Sequence, residues 1–248
     1  ALPSHGRGHW FESSIAHQAS PFHNEGAFFM PVLEVREICF QGGESGDIGA
    51  LHIRVTNMMH PHTEVQFISD EVGRVVVATA FIPKGTITWV HDPLDRLFTP
   101  AEVAALPPFA LDQLEYFAFK NARGEMVLCW DHARYVNHSF RSNCLSTVFD
   151  FEVAVRDIHP GEQLTDDYGY LNLNAPWKPL DEGTRRKWVR PDDALRCAAV
   201  WDRQIAKALR VLGKRDQPLA SYVKDEVWDQ LRSPESAQRS VRELHYRA

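Results

Sequence analysis

Between residues 148 and 156, Phe149, Phe151, Val153 and Val155 alternate strictly with Asp150, Glu152, Ala154 and Arg156. A period of two sends successive side chains to opposite faces, so this segment reads as a β-strand with one face buried and the other towards water. Such a strand needs sheet neighbours and a layer over its apolar face. Neighbours are available. Residues 64–68 alternate weakly, residues 74–78 and 86–90 are β-branched runs parted by the turn Ile82-Pro83-Lys84-Gly85, and residues 126–130 form an apolar run.

Helical signals are fewer in this half and dominate the end. Thr99, Pro100 and Glu102 stand as N-cap, first and third positions of a helix that Pro107 and Pro108 are expected to close. Residues 111–119 put Leu111, Leu114 and Ala118 on one stripe. A longer helix is expected from Pro191, with Leu195, Ala198, Ile205, Leu209 and Leu212 on its apolar face and Gly213 as its stop, followed by another over 219–231. Short strands before Tyr170 and helices after it make the fold class α+β.

Residues 1–57 are rich in His, Ser and Gly and show no sustained period, so a poorly ordered segment is expected there. The gaps between His5, His9, His17 and His23 fit no helix face, and solvated histidines are the simpler reading than a metal tract. Gly43, Gly46 and Gly49 lack the strand-to-helix setting of a dinucleotide loop. Met58 and Met59 stand just before the first patterned run, where a native start is expected.

The formal charge of -6 disfavours a general nucleic-acid binder, which needs clustered cations to neutralise phosphates, and leaves a basic peptide as the easier partner. The 4 cysteines, Cys39, Cys129, Cys144 and Cys197, form no close pairs, so no disulfide framework or paired-cysteine metal site is read, and reduced thiols in a cytoplasmic setting fit best. No apolar run approaches the roughly 20 residues that span a bilayer. Two histidines one helical turn apart beside a carboxylate, as a metal-dependent hydrolase would show, are also lacking.

Two segments carry the chemistry: Asn137-His138-Ser139, set within Arg134-Tyr135-Val136 and followed by Asn143-Cys144, and Gly161-Glu162-Gln163-Leu164-Thr165-Asp166-Asp167-Tyr168-Gly169. In order, gap and flanks the pair resembles the signature of SET-domain protein lysine methyltransferases. The resemblance runs over about residues 64–174, with Gly73-Arg74-Val75 standing where the family has a Gly-x-Gly turn beside its cofactor. It implies a SET β-fold over 58–174, in which the two segments cross as a pseudoknot, and a helical C-terminal extension over 175–248.

The implied activity is methyl transfer from S-adenosyl-L-methionine to a lysine of a protein or peptide. The amine must attack as its neutral form, although its free pKa is about 10.4, so an apolar cavity that disfavours the ammonium suits the reaction. By the resemblance, Tyr168 is the catalytic hydroxyl that orients the amine, and Gly73, Arg74, Val75, Asn137 and His138 contact the cofactor. Tyr135 and Tyr170 are either lysine-cavity aromatics or core. Asp166 either replaces an aromatic cavity wall, where it would attract the ammonium, or points outward.

Val75 in place of the second glycine would crowd a close backbone approach. Phe140 stands where many relatives have a zinc-binding cysteine, and the cysteine-rich segment expected after the catalytic tyrosine is missing with it. Residues 176–212 are expected to pack there instead and close the cavity by apolar contact. These departures keep a second reading open, a SET-like module that binds a peptide or the cofactor without turnover. Substrate identity, the number of methyl groups added and the oligomeric state are not read from the sequence.

Overall fold

The computed structural model describes residues 57–247. The expectation for residues 1–57, with its histidines, glycines and Cys39, falls outside the described residues except for Asn57. Along the described chain run β1 (Thr63–Ser69), β2 (Gly73–Ala78), β3 (Ile87–Val90), β4 (Arg96–Phe98), α1 (Pro100–Ala104) and α2 (Pro108–Phe117). Next come β5 (Ala118–Lys120), β6 (Met126–Leu128), β7 (Asn137–His138), β8 (Cys144–Ser146), β9 (Phe151–Ala154) and β10 (Thr165–Asp166). The helices α3 (Asp193–Arg196), α4 (Ala198–Leu212) and α5 (Asp225–Arg232) follow.

The strands make small sheets rather than one large one: β1 with β2, β7 with β10, β3-β9-β8 and β4-β6-β5. Short strands in several sheets together with helices give an α+β fold, as expected. No helix among the described residues is long and apolar enough to cross a membrane.

Local chemistry sets the helix starts. Thr99 caps α1 through its hydroxyl while Glu102 returns a bond to the Thr99 amide, the reciprocal box read from the sequence. Pro107 and Pro108 act differently from expectation. They do end the preceding turn, but Pro108 also opens α2 at its first position, where a missing N–H costs nothing. α2 therefore starts three residues early and stops at Phe117, because Ala118 leaves it in extended conformation to enter β5. The helix expected over 219–231 is split into a short 3-10 turn, Ala220–Tyr222, and α5.

The alternating segment is also shorter and more deeply set than its pattern implied. Asp150 adopts a positive φ of 58°, so the chain turns there, and β9 spans only Phe151–Ala154. All four residues are buried, on both faces. Phe151 and Val153 join a core with Ile87, Leu145 and the helical residues Trp201, Ile205, Ala208 and Leu212. Ala154 faces a second core with Met59, Val76, Ile82, Trp89, Cys144 and Leu164. The correction has a physical cause: a central strand with β3 on one edge and β8 on the other, covered by α4 on one face and by β2 and its neighbours on the other, has no water face. Glu152 consequently lies inside the protein, 5% exposed.

Candidate functional site

Asn137 and His138 form β7, which pairs parallel with β10 so that Asn137 faces Thr165 and His138 faces Asp166. Asn143 stitches the same two segments together. Its amide nitrogen donates to the Gln163 carbonyl at 2.7 Å, and its amide oxygen accepts from the Thr165 N–H at 2.8 Å. On its other side the second segment runs beside β2: Ala78 N–H donates to Glu162 O at 2.9 Å and Leu164 N–H donates to Val76 O at 2.8 Å. Gly161 enters this run with φ of 80°, which a side chain would strain.

This threading brings Tyr168 to the start of a 3-10 turn, Tyr168–Tyr170, whose N-cap is the Asp167 carboxylate accepting from Gly169 N–H. The Tyr168 hydroxyl donates to Val136 O at 2.8 Å, one residue before Asn137, and its amide donates to His138 Nδ1 at 3.1 Å. Burial first, then the Arg186 cation, pushes the His138 pKa down to about 3, so the imidazole is neutral at physiological pH. With Nδ1 accepting, the ring proton sits on Nε2, a buried atom without a partner among the described residues. The ring packs edge-on to Phe140 and Trp177 and beside Tyr168.

The family model of the SET domain matches residues 73–169, a span that begins at the Gly73 turn and ends one residue past Tyr168. The chain contains a SET domain. Members of this family are typically protein lysine methyltransferases. No curated protein matches the chain.

Two cavities of the SET domain meet at Tyr168. One, about 590 Å³, is lined by Gly73, Arg74, Arg134, Tyr135, Asn137 and Tyr168 among others. The second, about 630 Å³, is lined by Trp89, Tyr116, Phe117, Glu152, Asp166 and Tyr168 among others. Tyr116, Phe117 and Arg134 are shared with Tyr168 as the common wall. Burial raises the Tyr168 phenol well above its ordinary pKa, so it stays a neutral hydroxyl.

The sequence-expected residues divide between these places. Gly73, Arg74, Asn137 and Tyr135 border the first cavity with Tyr168, and Asp166 borders the second. Asp166 is 5% exposed, so the outward-pointing alternative is overturned. Val75 and His138 line neither cavity. Val75 is buried in β2, away from the cleft it was expected to crowd, while Gly73 takes a φ of 75° with open space where a Cβ would be. Tyr170 is packed in the core with its hydroxyl donating to Asp166 and accepting from Ser146 N–H at 2.9 Å.

Sequence reasoning missed several residues. The alternation puts Glu152 on a water face, whereas it borders the second cavity from inside the protein. Trp177 stacks against Tyr168 at 6.1 Å between ring centres, and Phe140, Leu171, Leu173 and Val189 complete that cluster. Residues 176–212 supply apolar contact to Tyr168 through Trp177 and Val189, but none of them lines either cavity, so they do not close it as expected; they also supply a cation. Arg186 pairs with Asp167 and with Asp193, each at 2.6 Å, and lies over the rings of Phe140 and Trp201. No spacing signal distinguishes Arg186 from its neighbours in Arg185-Arg186-Lys187. Among the described residues no group of three His, Cys, Asp or Glu is placed to hold a metal.

Proposed function

We propose that this SET domain moves a methyl group from S-adenosyl-L-methionine to the side-chain amine of a lysine in a protein or peptide. The observation that carries the reading is the pair of cavities sharing Tyr168, one bordered by Asn137 and the Gly73 turn, the other by aromatic rings and carboxylates. A transfer between two bound molecules needs two sites that open on one point, and orientation at that point is the main lever on rate.

The residues of the first cavity fit the cofactor. Arg74, Arg134 and the Asn137 amide offer donors for its carboxylate, the rings of Tyr135 and Phe117 offer faces for its base, and Gly73 leaves room beside the backbone. When bound, the cofactor supplies a methyl group on a positively charged sulfur. The Tyr168 oxygen, held by the bond to Val136, accepts from the incoming amine and fixes its approach. The aromatic second cavity lowers the cost of the neutral amine relative to the ammonium. Pairing of β7 with β10 and the Asn143 bonds support the crossing of the two segments as the family's pseudoknot.

The test is incubation of the full chain with methyl-labelled S-adenosyl-L-methionine and a mixed protein lysate. Label is expected on protein lysines, and Tyr168→Phe is expected to lower the rate about 100-fold, the scale of a lost positioning contact. Cofactor binding without Tyr168-dependent labelling would instead favour the non-catalytic binding module.

A further inference from the structure

We infer that Glu152 and Asp166 form a carboxylate pair in the wall of the Tyr168 cavity that receives the substrate ammonium and takes one of its protons. This rests on the reading of that cavity as the lysine site. The two carboxylates come from different elements, β9 and β10, and converge on one cavity, each 5% exposed. Their bonds are to neutral donors: Thr88 hydroxyl to Glu152 at 2.8 Å, and the Tyr170 hydroxyl and Asp167 N–H to Asp166. Among the described residues neither is in an ion pair. Buried carboxylates without a cation are costly, and an ammonium guest supplies the missing charge.

A second observation also points to a guest. The Trp89 indole N–H is buried without an acceptor among the described residues, and Trp89 borders both this cavity and the neighbouring one of about 1080 Å³. A peptide passing from the larger cavity brings a carbonyl to that N–H as its lysine enters the smaller one.

The step balances. A carboxylate oxygen takes a proton from the ammonium, an O–H bond forms as an N–H bond breaks, and the electron pair stays on nitrogen. Two opposite charges become two neutral groups, which a desolvated cavity favours. The freed pair then forms the C–N bond while the C–S bond breaks and its electrons remain on sulfur. The product leaves as a methylated ammonium, and the carboxylic acid returns its proton to water when the cavity empties. Burial supports the role by pushing Glu152 up to about 7 and Asp166 well above its ordinary range.

The pair is faced by Tyr168, Tyr170 and Asp167 from the second signature segment, Tyr116 from α2, Cys129, Cys144 and Arg134. The charges of Asp95 and Asp131 act on Cys129, and Asp131 is itself pushed up to about 6 by burial. The probe is n-butylamine, which has the lysine side chain's carbons and amine, against 1-butanol as its neutral counterpart. Binding to the full chain without cofactor is followed by NMR at the Trp89 indole N–H. From pH 8 to pH 5 the butylamine dissociation constant is expected to rise about tenfold or more as the pair protonates, with butanol unchanged. Glu152→Gln and Asp166→Asn should each weaken that dependence, whereas Asp131→Asn should keep it. A butylamine-to-butanol ratio independent of pH in the wild-type chain overturns the inference, even if neither variant folds. So does a ratio unchanged in both variants. Because no cofactor is present, this outcome is separate from failure of methyl transfer.

Discussion

Single side chains carry two separate burdens in this site, holding the two signature segments together and holding charge away from water. Asn143, 0% exposed, satisfies Gln163 O and Thr165 N–H at once, so Asn143→Leu would keep the volume and orphan both backbone groups. Each orphan costs about 1–3 kcal/mol, and urea unfolding is expected to show a loss in the upper part of that range or beyond it. A change below about 1 kcal/mol would mean that the neighbouring β2 bonds alone hold the second segment. Glu152 carries the other burden. Its folded pKa is raised from 4.5 to about 7, so its contribution to stability is full below pH 4.5 and is lost as pH rises through 7. Glu152→Gln keeps the acceptor for Thr88 and removes the titration, so the melting temperature of the variant should gain on the wild type between pH 5 and pH 8. A constant difference across that range would place the titration elsewhere. Asn137 and Tyr168 were legible because the resemblance names them by spacing. Glu152 was not, since alternation says which residues share a face and nothing about whether both faces are covered.

At the scale of elements, the capping box of α1 was fully readable because all its partners lie within four residues of sequence. What could not be read were features decided by distant chain: the double burial of β9, the split of the helix after Leu219, and the approach of residues 176–193 to Tyr168. Arg186 shows why. Its guanidinium joins Asp167 beside the Tyr168 turn to Asp193 at the start of α3, and the two acids are 2% exposed each. Gly169 is glycine for the same reason, since a Cβ there would run into Arg186, Trp201 and Asp193. Burial already pushes the Asp167 carboxyl up, against the pull of Arg186. Arg186→Met would retain much of the stacking on Phe140 and Trp201 but strand two buried carboxylates, for which about 3–5 kcal/mol is the usual cost of breaking a buried pair. Denaturant titration checks the magnitude. Methyl transfer by the variant should fall as well, because the turn that carries Tyr168 loses its brace; full activity with lost stability would separate the bridge from the site.

Across the whole molecule, the helices after the SET match are part of one core with its sheet. Ile87, Leu145, Phe151 and Val153 pack with Trp201, Ile205, Ala208 and Leu212 from α4 and with Val223 and Val241 beyond it. Gln217 adds a polar lock by donating to Gly85 O at 2.8 Å and accepting from Ile87 N–H at 2.9 Å. Gly85 is where this docking is tightest. It holds φ of 87°, and a Cβ there would stand 2.6 Å from Val211 Cγ2 and 2.8 Å from Ala208 O. A methyl group against a side-chain terminus can be relieved by a rotamer change, but one against the α4 backbone oxygen requires the helix to move. Gly85→Ala therefore combines a left-handed backbone penalty of about 1–2 kcal/mol with partial undocking of α4. If sheet and helices are a single cooperative unit, tryptophan fluorescence and far-UV circular dichroism should report one transition, shifted together to lower urea. Two separated transitions, with the helical signal lost first, would make the C-terminal helices an appendage that the SET sheet can shed, and would remove the physical ground for treating residues 176–212 as a brace behind Tyr168.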